Sequence, residues 1–465
     1  MLDLVVTNGR ALMDGEFQTL DLAVQDGRVV ALGAQGQFAG QSARELDAAS
    51  LLVLPGIIDS HFHSRAPSRP DRETFASATR AAAFGGVTTI IEMPISEPPT
   101  TDGDRIRTRA ELAEREAYVD IGFYSSSATR RRGDLQSSVD AGALAFKGFL
   151  QHIPAGRESE FDGLCLSSNA ELVEAFELLA EFDLPCVFHP EDESMYQYLE
   201  ARLRARHQND GAAHAAHRPD YVEATSVGTL LLLAEHFGVH LQVPHVSSRM
   251  TLNLIRSAKE RGVHVTAETC PQYLQFDASA LDRLGPYAKC NPPFKSPEDV
   301  QALWEGLVDG TIDTVASDHS PFTVEEKERA WNDIWSAGPG FPGVEVLGPF
   351  ILGAALDNRL SIDRAEELIW KNPARIFGLW PRKGNLRPGA DADIVLFDAE
   401  SRGVFDHSEF HSKAKDIGLI WDGVAKRGKV IQTLLRGEPV TIGPELVGKS
   451  GAGQMLTRLP SATKG

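Results

Sequence analysis

The middle of this chain alternates short apolar segments with helix-like stretches, and that alternation restricts its fold more than any other feature. The segments with strand character are LLVLPGIID, VTTIIEM, ALAFKGF, PCVFH, LQVPHV, HVTAET, a short YAKCN and DTVASD. Stretches such as RETFASATRAAAFGG, NAELVEAFELLAEF, SVGTLLLLAEHFG and TLNLIRSAKERG separate them. Strand and helix in strict alternation imply parallel βαβ units. Eight such units close most economically into a (β/α)8 barrel, a TIM barrel, of class α/β.

The two ends have a different texture. LDLVVTNG, FQTLDLAVQDG and RVVALG near the start, and ADIVLFD and VAKRGKVIQTLLRGEPV near the end, read as short strands with Asn-Gly and Asp-Gly turns. The expected organisation is a small β-sandwich domain built from residues 1–54 and 382–465, with the barrel, residues 55–381, inserted into it. The final SGAGQMLTRLPSATKG is expected to be mobile or draped on a neighbouring subunit.

Charge narrows the function classes. A formal net charge of −19 argues against nucleic acid and against an anionic membrane surface as partners. The opening MLDLVVTNGRALMDG lacks the pattern of a secretory leader, and no run has the length of a membrane span, so a cytoplasmic location is expected. Cys165, Cys186, Cys270 and Cys290 have no paired spacing and are expected to be free thiols packed in the fold.

Residues suited to metal binding fall at the strand ends. The first strand runs into Asp59-Ser60-His61-Phe62-His63, and two histidines two apart on a strand face the same side. The third strand carries Lys147 inside the apolar run AFKGFL, where an ammonium costs free energy unless it is paired or neutralised. His189 ends the fourth strand, His245 the fifth and Asp318 the eighth. The C-terminal strand ends of a barrel converge on one mouth, so these six side chains are expected to meet there.

The motifs PGIIDSHFH, GGVTTIIEMP, AFKGF, FHPED, PHVSS, ETCPQYL, NPPFKS, ASDHSPF, GFPGVE and RPGADADIVLFD together resemble the amidohydrolase superfamily. The likeness is to its cyclic-amide branch of allantoinases, dihydroorotases and hydantoinases, and nearest to allantoinases. The resemblance implies two divalent metal ions, one on His61 and His63, the other on His189 and His245. It implies that Lys147 is carboxylated and bridges both ions, and that Asp318 binds the first ion and carries the proton. Imidazole and carboxylate donors suit zinc, and also cobalt, manganese or nickel. Two ions about 3.5–4 Å apart would hold a bridging hydroxide at neutral pH, ready to attack a ring amide carbonyl.

The implied reaction is opening of a small ureide or hydantoin ring, allantoin to allantoate foremost. Dihydroorotate, hydantoin, dihydropyrimidine and cyclic imide rings are the alternatives, with acyclic amides or esters, or a non-catalytic scaffold role, further off. Arg65 completes an HxHxR motif similar to dihydroorotases, where the arginine holds a carboxylate. The partner asparagine of that clamp is absent from Met93-Pro94-Ile95-Ser96, and a salt bridge from Arg65 to Asp71 or Glu73 is the alternative. Asn291, Ser317 and the backbone near Pro292 are expected substrate contacts. Gln272 stands where the likeness expects histidine. His319 is expected to be structural, and His207, His214, His217 and His236 solvated. The resemblance also implies a homo-oligomer, a tetramer or a dimer.

Overall fold

The structure, a computed structural model, describes residues 1–460. Its centre is an eight-stranded parallel barrel: β1 (Ile57–Phe62), β2 (Val87–Glu92), β3 (Asp120–Ser126), β4 (Ala145–Phe149), β5 (Cys186–His189), β6 (Leu241–Val243), β7 (Val265–Thr269) and β8 (Thr314–Val315). Each strand pairs with the next in sequence, as right-handed βαβ units require. The ring is nearly closed: just past β8, His319 bridges Phe62 of β1, and the His63 N–H donates to the His319 carbonyl at 2.9 Å.

Two strand assignments differ from the sequence reading. LLVLPGIID is not one strand. It breaks at Gly56, where a Cβ would sit 1.9 Å from the Thr88 hydroxyl oxygen, so no larger residue fits. Leu52–Pro55 joins the terminal domain and only Ile57–Phe62 enters the barrel. The third barrel strand is DIGFYSS, Asp120–Ser126, and YAKCN is not a strand but a 3-10 turn, Gly285–Ala288, and the loop after it. Lys147, His189 and His245 therefore belong to the fourth, fifth and sixth strands, one later than expected; Asp318 keeps its place after the eighth.

Strands from both chain ends share one sheet. Ile394–Val404 lies antiparallel to Leu52–Pro55, with Val395 opposite Leu54 and Leu396 opposite Val53. The residues alternate as a two-sided strand demands. Ile394 and Leu396 pack with Val53, Leu4, Val6, Leu22 and Val24 between this sheet and the four-stranded N-terminal sheet. Val395 and Phe397 face the other way, into the core that includes the barrel helices.

The tail does not leave the molecule. Residues 452–459 run along β3, with the Ile121 N–H donating to the Gln454 carbonyl and the Leu456 N–H to the Ile121 carbonyl. Leu456 is fully buried among Ile58, Ile91 and Tyr124. The rest of the expected mobile tail, residues 461–465, lies outside the described residues.

Below the barrel, at the start of β3, Lys383 Nζ lies 2.5 Å from Asp120, 2.6 Å from Asp393 and 3.0 Å from Asp391. All four side chains are buried, and Arg436 adds a second cation on Asp120 at 2.6 Å. The three aspartates come within metal-ligand distance of one another, but the ammonium fills the space between them. Removing one partner of a buried ion cluster strands the others. Lys383→Met is expected to destabilise the fold by about 3–5 kcal/mol, read as a drop in the urea midpoint; an unchanged midpoint would refute this role.

Candidate active site

His61, His63, Lys147, His189, His245 and Asp318 all line one cavity of about 530 Å³ at the C-terminal ends of the barrel strands. His61 and His63 come from the end of β1, Lys147 from within β4, and His189 from the end of β5. His245 and Asp318 follow β6 and β8 in left-handed backbone, with φ of 38° and 47°. Such φ values are uncommon outside glycine, and for β-branched or bulky residues strained; they cluster where a site demands a particular aim.

The side chains fall into two groups. His61 Nε2 lies 3.3 Å and His63 Nε2 3.5 Å from Asp318 Oδ1. His189 Nδ1 lies 3.1 Å from His245 Nε2. The charge of Lys147 is felt by Asp318 in the first group and by His189 and His245 in the second.

Outer hydrogen bonds fix the imidazoles. Glu268 accepts from His61 Nδ1 at 2.7 Å and is itself held by Ser60 Oγ at 2.8 Å. That turns His61 Nε2 toward Asp318. Glu191 takes the Nε2 proton of His189 at 2.8 Å, leaving Nδ1 to face His245. Burial pushes His63 and His245 well below the usual imidazole range and lowers His189 too, so these rings are neutral at pH 7. Burial opposes ionisation of Asp318, but His61 and His63 beside it outweigh that and hold its carboxyl below the ordinary range.

Imidazole nitrogens and a carboxylate thus converge across 3.1–3.5 Å in a buried cavity. Ring nitrogens and a carboxylate so placed can share a proton or a cation, and this donor set fits divalent metal. Lys147 is the odd member. It is buried, and among the described residues no carboxylate lies within ion-pair distance of its Nζ. Burial draws it down to about 8, against the pull of Asp318 and Glu268.

The sequence profile of the amidohydrolase family matches residues 52–440, the whole barrel and most of the flanking sheet. The chain belongs to the amidohydrolase family. The L-hydantoinase of Paenarthrobacter aurescens is 35% identical to this amidohydrolase over 460 residues, covering 98% of each chain. The allantoinase of Rubrobacter xylanophilus is 35% identical over 465 residues, covering 100% of this chain and 99% of its own. The solved L-hydantoinase (dihydropyrimidinase) from Arthrobacter aurescens superposes with a TM-score of 0.93 at 34% identity, over 98% of this chain and 100% of its own. These relatives put the amidohydrolase in the cyclic-amide branch that its motifs resemble.

The remaining expected contacts divide. Arg65, with φ of 62°, lines the cavity of the amidohydrolase, donates to Ser320 Oγ at 3.2 Å, and leaves Nε and Nη1 buried without partners among the described residues. It pairs with neither Asp71, which binds Arg69, nor Glu73, which accepts from His319. Asn291 also lines the cavity with its buried Oδ1 unpaired. Ser317 does not reach it: its hydroxyl donates to Asp59 at 2.5 Å and its carbonyl accepts from Gln272. Cys270 and Cys290 are buried, and burial raises both thiols, so neither is a ready nucleophile.

His319 is structural as expected, stacked on Phe62 and bonded to Glu73 at 3.0 Å. His214 and His217 correct the sequence reading: both are buried, because the helix that carries them, Gly211–His217, packs under Trp335 and Arg218. His207 and His236 are exposed. The sequence reading also passed over Glu268, Glu92 and Glu191. Glu92 accepts from Ser64 and from Arg109 at 2.8 Å, fixing the turn that presents Arg65. Glu92 and Glu268 each carried a signal, a carboxylate inside a buried strand, the same oddity that marks Lys147.

Proposed function

We infer that this amidohydrolase opens the ring of a hydantoin-type cyclic amide, with allantoin as the leading substrate. Two divalent metal ions, zinc in the first instance, would be held by His61, His63 and Asp318 on one side and His189 and His245 on the other. Lys147, as N6-carboxylysine, would join the two. When bound, such ions activate water at neutral pH and polarise the carbonyl under attack.

The chain supplies the rest. Glu268 and Glu191 hold His61 and His189 in the tautomers that turn a lone pair inward. Asp318, kept ionised, takes the proton of the attacking water and returns it to the departing ring nitrogen. The cavity walls hold the ring.

One observation favours allantoin: the unpaired, buried donors of Arg65 and the unpaired Oδ1 of Asn291 on the cavity wall. A ureido substituent offers both an acceptor and donors to satisfy them, which an alkyl or aryl group does not. The second reading is a hydantoin with an apolar substituent, favoured by the packed Ile95, Phe149 and Phe161 on the same wall. Relatives of equal identity carry the two names, hydantoinase and allantoinase.

The test is kcat/KM of metal-loaded protein on allantoin, hydantoin, 5-benzylhydantoin, dihydroorotate and dihydrouracil. Allantoin is expected to lead, with activity lost on chelation and restored by metal. If 5-benzylhydantoin or dihydroorotate leads, the allantoin assignment fails; if no ring opens, the cyclic-amide reading fails with it.

Among the described residues, no helix is long and apolar enough to cross a membrane.

A further inference from the structure

Half of the cavity wall belongs to side chains already assigned, and Trp335 is in the other half. It lines the cavity, half-buried, from the loop that follows the helix Val324–Glu328. Its indole is held by three neighbours. Nε1 donates to Asn209 Oδ1 at 2.8 Å, and the preceding Ile334 N–H donates to the Asn209 carbonyl at 2.9 Å. The His217 ring meets the indole edge-on, at 5.0 Å and 86°, and the Arg204 guanidinium lies 5.0 Å from the indole ring.

The loop backbone is pinned as well. Buried Lys289 donates to the Ile334 carbonyl at 2.8 Å and to the Trp335 carbonyl at 3.3 Å. Buried Lys327 donates to the Gly338 carbonyl at 2.8 Å. Amines buried on backbone carbonyls, with no carboxylate partner among the described residues, hold the loop in one place.

The frame continues to the centre. His217 must accept at Nε2, because its partner there, Arg218 Nε, can only donate, at 2.8 Å. Its Nδ1 then donates to the His214 carbonyl at 2.6 Å. Arg218 bonds Glu191, and Glu191 holds His189. Trp335 and His189 are thus two ends of one hydrogen-bonded and packed frame. Elsewhere on the rim Ile153 is 40% exposed, with room to turn aside.

We propose that Trp335 is the residue that limits the size of the ring substituent this cavity admits. The inference rests on the cyclic-amide reading above and names the feature that selects within it. A wall that cannot rotate away excludes a large substituent by clash, while it leaves a ring with a small or extended polar group in place. It therefore favours unsubstituted hydantoin and the ureido ring over rings with a bulky aryl group.

The test compares kcat/KM for 5-benzylhydantoin and for hydantoin in the metal-loaded full chain. In Trp335→Ala the ratio of the first to the second is expected to rise at least tenfold, through KM for the benzyl compound. Asn209→Ala keeps the indole but frees it, and is expected to raise the ratio about threefold; it carries the test if Trp335→Ala does not fold. Ratios that stay at the wild-type value in the folded variants overturn the proposal and leave the cyclic-amide reading intact. Wild-type protein that opens neither ring overturns both.

Discussion

Asp318→Asn is expected to lower kcat by roughly 10³- to 10⁴-fold, because it removes the ionised group proposed to carry the proton at the candidate centre. The substitution is close to isosteric. Its backbone cost is low too, since Asp318 sits at φ of 47° and asparagine is among the few residues that tolerate left-handed backbone. The fold should therefore survive, with a thermal midpoint close to the wild-type value. What changes is charge. The His61 and His63 Nε2 atoms, 3.3 and 3.5 Å from Oδ1, lose the anion that faces them. An amide can still lend an oxygen but cannot accept and return a proton near pH 7. Kinetics on the best ring of the substrate panel, with metal content measured on the same sample, separates lost proton transfer from lost metal. Asp318→Asn protein with more than a tenth of wild-type kcat would remove Asp318 from the reaction.

The six central residues were legible because three of them break a local rule and the other three end strands that converge on the same mouth. Histidines two apart at the end of a buried strand, and a lysine inside AFKGFL, are anomalies that composition alone does not produce. The (β/α)8 alternation was legible for the same reason that parallel strands are: burial on both faces makes them near-continuous apolar runs. The failures share a cause in distant contacts. DIGFYSS reads as polar, yet all seven residues are buried: Asp120 is neutralised by Lys383 and Arg436, and Ser125 bonds Ser138. YAKCN has strand-like composition, but a Gly-Pro start turns it into a 3-10 segment. GAAHAAH reads as a solvated helix, and only the arrival of Arg218, Trp335 and the Cys290 carbonyl buries its histidines. Ser317 sits one residue from Asp318, but strand alternation turns it outward to Asp59.

Lys147→Ala is expected to remove most of the bound metal and to lower activity by about three orders of magnitude, the scale of a metal centre's contribution to charge stabilisation. The physical case begins with the cost of the lysine. Its side chain is 1% exposed, its neighbours across the strands are Ser126 and Val187, and burial already draws it down to about 8. At that value a useful fraction of the amine is neutral at physiological pH, which is the form that reacts with carbon dioxide. The product would be an anion with two oxygens beside His189, His245 and Asp318, and would turn a destabilising cation into a ligand. Alanine ends that chemistry and also removes the buried amine, so the fold should hold and the unfolding midpoint should move little. A short carboxylic acid such as acetate or propionate can occupy the vacated space and supply the missing oxygens. Added at millimolar levels with metal, it is expected to restore part of the activity and most of the metal. Labelled bicarbonate should place a carbamate carbon on the wild-type protein and none on Lys147→Ala. Lys147→Ala protein that keeps its full metal complement and full turnover would show that the lysine bridges nothing, and the buried amine would then need another explanation.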